Sequence, residues 1–504
     1  MKKNKIAVNI ITAVLYQVIT LILGFIIPSI TINNYGSETN GFISTVSQIY
    51  SYLALLEAGL GTAAIQALYP PVASGDKKQI SLIINSAKAY YIKISIIYSG
   101  TVLLISIILP FVLESTIKPS VMISYFLLFG VSNVMNFAFT ASMKPLLNAE
   151  GKLYVSNNIC IIFHTVCQLS KVILLNLKVS ILTLQLATSI INVLQIAVYY
   201  IYFKKRYPWI DKTIKPRKNL LKQRSAFLLQ QISQLLFSST DVVIISVFCG
   251  LVWSSIYSVY MLIYNVVNTL LSMLTGSFDF VLGQTYSKDK ETYLFLHRSY
   301  ELVLITVATV IYTVVGVVCT PFIELYTANI SDVNYIYPEL PILFSIMGLL
   351  TTIRSLPVKL LNFSFHAKQT MYQVVIEVIL NIIFSVIFVN AIGMSGVLVG
   401  TIIALIYRNF VSVRYSNNIV LGISNFDSIK IYFINIVLMI ISLLIFSFRS
   451  LSFCNYFELL LKGGLVGIFI AIIFLTVNIL FNINLTKNII LEIKKKYFKI
   501  EKKG

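Results

Sequence analysis

MKKNKIAVNIITAVLYQVITLILGFIIPS, residues 1–29, is the stretch on which the fold turns. Lys2, Lys3 and Lys5 ahead of an apolar run have the outline of a secretory signal. A signal's apolar region ends near a small-x-small cleavage site, whereas this run goes on for roughly 25 residues, has no such site and precedes further apolar runs. It reads as an uncleaved first transmembrane helix. Working outward, runs longer than about 18 residues recur along the chain, each enough to cross a hydrocarbon core of ~30 Å. The 504 residues are 57% hydrophobic and 12% charged, half the charge of a soluble domain at about 25%.

The runs place spans at about 6–31, 42–69, 88–113, 120–146, 153–175, 180–203, 226–249, 252–285, 299–325, 337–363, 370–392, 394–413, 430–448 and 460–482. Strands are excluded because the runs are too long and do not alternate. The expectation is an all-α, polytopic bundle of about fourteen transmembrane helices. No stretch between spans exceeds roughly 20 residues, which leaves no room for a separate catalytic domain.

The net charge of +20 would suggest nucleic acid in a soluble protein. Here it marks one side of a membrane, and no nucleic-acid partner is expected. With the N-terminus inside, about 32 of the 39 Lys and Arg residues fall on cytoplasmic segments, nine of them between Lys204 and Arg224. Only Lys118, Lys171, Lys178, Arg449 and Lys462 fall outside. That asymmetry orients the chain with both termini in the cytoplasm.

The chain also repeats itself. ALYPPVASGDKKQISLI (67–83) resembles VLGQTYSKDKETYLFL (281–296), pairing Asp76 with Asp289, and LLNAEGK (146–152) resembles LLNFSFHAK (360–368). Six spans separate the copies, an even number, so the halves share an orientation, as in a parallel transporter repeat. The domains expected are a six-helix lobe with its linker at 1–224, a second six-helix lobe at 225–424, and two extra helices with a basic tail at 425–504.

NNYGSETNGFIST (33–45), LLEAGLGTAAIQALYPPVASGD (55–76) and STDVVIISVFCG (239–250) followed by IYSVY (256–260) resemble the Wzx-type polysaccharide flippases of the multidrug/oligosaccharidyl-lipid/polysaccharide exporter superfamily. The resemblance, with its six-plus-six-plus-two spans, covers nearly the whole chain. It implies a bacterial cytoplasmic membrane protein that flips undecaprenyl-pyrophosphate-linked oligosaccharides by alternating access. The implied partners are that substrate, and polysaccharide polymerase and assembly proteins. A cation-coupled multidrug exporter and a lipid II flippase are the same-fold alternatives. A membrane polymerase would need a large external loop.

Charges inside spans cost ~2.5–3.5 kcal/mol at the bilayer centre on insertion scales, so they face a cavity or a partner. Arg354 is the strongest candidate for the substrate path, with Thr351 and Ser355 on its helix face and Pro357 expected to bend the helix. Guanidinium stays charged and grips phosphate bidentately; the plainer reading is an ion pair with a buried acid. Glu57, on a stripe with Tyr50, is read as a cation or proton site or, preferred, as the partner of Arg354. Asp241 and Glu377 are weaker versions of the same case, while Asp279 and Lys93 lie near span ends and can snorkel. At an offset near 214, Glu57, Asp241 and Arg354 fall on Leu271, Ile27 and Thr140, so the scaffold tolerates neutral residues there.

Cys160, His164, Cys167 and Lys171 share a face of span five. The two cysteines stand ~10.5 Å apart along the axis, too far for one ion, so a polar interface or cavity wall is expected and no metal. The five cysteines include no C-x-x-C and specify no disulfide framework. There is no P-loop or H-E-x-x-H; neither a cofactor nor enzymatic activity is expected. The tail KNIILEIKKKYFKIEKKG (487–504) reads as a basic amphipathic segment on anionic lipids.

Overall fold

The computed structural model describes residues 2–57, 60–217, 240–364, 366, 369–447 and 453–501, and no strand occurs among them. The chain divides into two compact units, Met1–Ile256 and Tyr257–Gly504.

The first unit opens with α1, Lys2–Leu53, interrupted at Gly36 where φ is 83° and ψ 165°. Glycine alone enters that region without strain. The first two expected spans therefore meet end to end. A 3₁₀ turn at Ala54–Glu57 follows, then α2 at Leu60–Ser74. Next come α3 (Lys77–Val112), α4 (Pro119–Phe139), the short α5 (Lys144–Ala149), α6 (Leu153–Asn176) and α7 (Ile181–Arg206). Most of the expected span 226–249 lies outside the described residues; helix resumes at 240–248.

α8 (Leu251–Lys288) carries the division between units. Beyond it run α9 (Lys290–Tyr326), α10 (Glu339–Phe363), α11 (Met371–Ile392), α12 (Met394–Arg414), α13 (Phe426–Ser447), α14 (Tyr456–Phe481) and α15 (Ile483–Glu501). α10 is unbroken through Pro357. Twelve helical runs among the described residues are long and apolar enough to span a membrane. The sequence suggested about fourteen; one of the twelve, Ile22–Ser74, carries two expected spans across Gly36.

Polarity is inverted relative to a soluble bundle. Phe111, Phe457 and Leu460 are 87%, 71% and 72% exposed, whereas Glu301, Glu377 and Arg408 are buried. Apolar outer faces suit lipid, and buried polar groups must find partners inside. The two extra helices dock on such partners. Asn435 of α13 and Asn478 of α14 exchange amide hydrogen bonds of 2.9 and 3.1 Å, and Ser428 of α13 donates to Glu301 of α9 at 3.0 Å.

Both units repeat the same internal joints. Asp76 caps α3 by accepting from the Lys78 and Gln79 amides, and Asp289 caps α9 by accepting from Glu291. The Thr292 side chain helps hold the Asp289 carboxyl below its ordinary range. Leu68, Leu146 and Leu147 share one small core, and Leu282, Leu360 and Leu361, each 214 positions later, share another. The hydroxyl of Tyr50 donates to the Phe126 carbonyl at 2.6 Å, and that of Tyr264 to Pro341 at 2.9 Å. The Tyr50 and Tyr98 rings lie 6.4 Å apart, as do those of Tyr264 and Tyr312.

Candidate functional site: a buried guanidinium–carboxylate cluster

α11 carries Gln373, Glu377, Asn381 and Ser385 at every fourth position, all buried. That spacing puts four polar side chains on one face of a helix that is mostly apolar elsewhere. The face can be buried because α12 approaches unusually closely. A Cβ on Gly400 would lie 2.4 Å from the Ser385 backbone nitrogen, and one on Gly396 2.1 Å from the Phe388 carbonyl oxygen. Small residues four apart allow this backbone contact in a membrane. Across it Asn381 donates to the Thr401 hydroxyl at 2.8 Å.

One turn along, three charges meet. Arg354 of α10 donates from Nη1 to Oε1 of Glu377 at 2.5 Å, while Nε of Arg408, on α12, lies 3.5 Å from Oε2 of the same carboxylate. Nη1 of Arg408 also donates to Oε1 of Gln373 at 2.9 Å. Asn409 fixes α12 on α10 by donating to the Leu350 carbonyl at 2.9 Å. The Glu377 and Arg408 side chains are 3% and 4% exposed, but that of Arg354 is 23% exposed. Both guanidiniums face one carboxylate, and Arg354 is the more exposed of the two.

The other sequence candidates sort as follows. Thr351 and Ser355 lie beside Arg354 but donate to their own helix, to Met347 and Thr352 carbonyls at 2.8 and 2.7 Å. Tyr50 is a buried packing residue of the first unit. Within the second unit Arg354 pairs with Glu377, and within the first Glu57 accepts from the Tyr91 hydroxyl at 3.0 Å. Asp241 is buried next to Thr240, whose hydroxyl accepts from Tyr52 at 2.8 Å. Arg408 was missed because span twelve was expected to end near 413, which made it a cytoplasmic-end residue. The helical run extends to Leu421, so Arg408 sits well inside.

No described protein family and no curated protein matches the sequence. Solved structures do match in fold. A multidrug resistance MATE family transporter of the MOP superfamily, in an inward-facing conformation, aligns with a TM-score of 0.61 and 14% identity, covering 86% of this chain and 96% of its own. The lipid II flippase MurJ, inward closed, aligns with a TM-score of 0.66 and 15% identity, covering 92% of this chain and 99% of its own. A MOP superfamily transporter from Pyrococcus furiosus, whose description notes a binding pocket of reversed polarity, aligns at 0.57 and 13% identity over 82% of this chain and 94% of its own. The chain is therefore a multi-pass membrane protein with the fold of MOP superfamily transporters.

Proposed function

We propose that this protein flips polyprenyl-pyrophosphate-linked oligosaccharides across a bacterial cytoplasmic membrane for surface polysaccharide synthesis. The observation that carries this reading is the partly exposed guanidinium of Arg354, held by the buried Glu377 that also faces Arg408. An anionic pyrophosphate is attracted to an accessible guanidinium that a buried carboxylate holds in place. A cationic drug would be repelled by it, which disfavours the multidrug reading. Alternating access would move residues 1–224 against 225–424. Outward transfer of an anion from an inside-negative cell is favourable by ~2.3 kcal/mol per charge per 100 mV, so no nucleotide is required. Anionic lipids under α15 and polysaccharide polymerase and assembly proteins are the partners this reading implies.

A lipid II flippase is the second reading. It is favoured by the alignment with MurJ over 92% of this chain, against 86% for the MATE transporter. The experiment that separates the readings is expression in two bacterial hosts, one lacking its polysaccharide flippase and one depleted of its lipid II flippase. Restored surface polysaccharide without restored growth in the depleted host is the expected result. The converse pattern would replace the first reading with the second, and drug resistance with neither would replace both.

A further inference from the structure

In the first unit the fifth and sixth helices of the repeat, α6 and α7, are not closed as α11 and α12 are. Neither α6 nor α7 contains a glycine. A cavity of about 300 Å³ stands beside them, lined also by Phe129 and Ser132 of α4. α6 contributes Cys160, His164, Gln168 and Lys171, and α7 contributes Gln185, Thr188, Asn192 and Gln195. Cys160 to Lys171 is eleven residues, so the polar wall extends ~16 Å along the helix axis.

The chemistry of this slot is specific. No carboxylate is among the residues that line it, so it offers nothing to neutralise a cation. It presents four side-chain amides, each of which both donates and accepts. Nε2 of Gln168 lies 3.3 Å from Nε2 of His164 on its own helix. Oε1 of Gln168 is buried without a hydrogen-bond partner. Nε2 of Gln185 reaches the Ser189 hydroxyl only at 3.4 Å, and that of Gln195 reaches only the Cys160 thiol, also at 3.4 Å. Gln185 is nonetheless 4% exposed. Amides left short of partners in such a wall bind groups that donate and accept at once, and Phe129 adds an apolar face. Sugar hydroxyls above a ring's C–H face have that pattern.

We infer that the slot between α4, α6 and α7 is a saccharide subsite that takes the glycan part of the transported lipid. The inference rests on the flippase reading and assigns the sugar to the first unit, apart from the cationic cluster of the second.

The test uses the full-length protein in lipid nanodiscs and two probes: the lipid-linked oligosaccharide pool extracted from a polysaccharide-producing host, and undecaprenyl pyrophosphate without sugar. The wild type should bind the glycan-bearing lipid more tightly. Asn192→Leu and Gln195→Leu, which make the wall apolar and keep the helices insertable, should each weaken that binding at least about tenfold and leave the bare lipid unchanged. Variants that bind both probes like the wild type would overturn the subsite, as would a wild type that does not distinguish the probes. A wild type that binds neither probe would overturn the flippase reading itself. Should a variant lose both probes through misfolding, the unmutated protein decides. Maleimide labelling of Cys160, followed by mass spectrometry, should slow at least threefold with the glycan-bearing lipid and not with the bare one; an unchanged rate would overturn the subsite.

Discussion

α6 and α7 in the first unit and α11 and α12 in the second occupy the same place in the repeat, yet one pair leaves an open amide-lined slot and the other closes on three charges. The surrounding scaffold is alike. Tyr50 and Tyr264 each cross to a backbone carbonyl and lie 6.4 Å from a second tyrosine ring. The difference lies in a few side chains. Gly396 and Gly400 bring α12 onto α11, where Cβ atoms would collide with backbone. The α4–α5 and α10 segments diverge too. α4 stops at Phe139, and Thr140 donates to the Asn136 side chain at 2.6 Å; α10 runs on to Phe363 and carries Arg354. Packing residues preserve a duplicated frame, and changes at the facing positions give each half its own chemistry.

The largest effect is expected where the second unit's charges depend on one acid. Glu377→Gln removes the carboxylate that both guanidiniums face, and removing one partner of a buried pair costs about 3–5 kcal/mol. Membrane-inserted protein should fall sharply by immunoblot. The double variant Glu377→Gln with Arg408→Gln should recover it, because the remaining Arg354 is partly exposed. Unchanged levels in Glu377→Gln would mean that the cluster does not stabilise the second unit.

A smaller effect is expected at the helix contact that separates the two pairs. Gly400→Ala places a Cβ against the Ser385 backbone and should destabilise by about 1–3 kcal/mol through overpacking. Gly464→Ala, where a Cβ meets nothing within 4 Å, is the control and should leave the melting temperature in detergent unchanged or slightly raised. Equal melting temperatures for the two variants would remove close packing as the cause of the difference between units.

Much of this was legible in the residues because lipid imposes length and polarity on every span. Arg354 and Glu377 were both singled out, since a charge in an apolar run is conspicuous. Their pairing was not legible. It depends on how α10 and α11 face each other, and a sequence shows which face is polar but not which neighbour meets it. Glu57 was an equally good acid on chemistry alone. Arg408 was hidden by its nearness to a span's end, where positive charge is ordinary. The four-residue stripe Gln373, Glu377, Asn381, Ser385 was the available sign that span eleven had a polar partner. The tyrosine joints were invisible for a different reason: aromatic residues are common in every span, so their 214-residue spacing gains meaning only when the hydroxyls are seen to end on carbonyls.

The central claim, that Arg354 presents its partly exposed guanidinium to an anionic substrate, is tested most directly by replacing it. Arg354→Gln leaves Glu377 paired with Arg408, a neutral buried pair, so the protein should still insert at the wild-type level. Surface polysaccharide in a flippase-null host, normalised to inserted protein, should then fall at least tenfold, while Arg354→Lys should keep part of the activity because charge remains without the bidentate fork. Normal polysaccharide from Arg354→Gln at normal expression would contradict the account and leave the cluster as a structural device of the second unit.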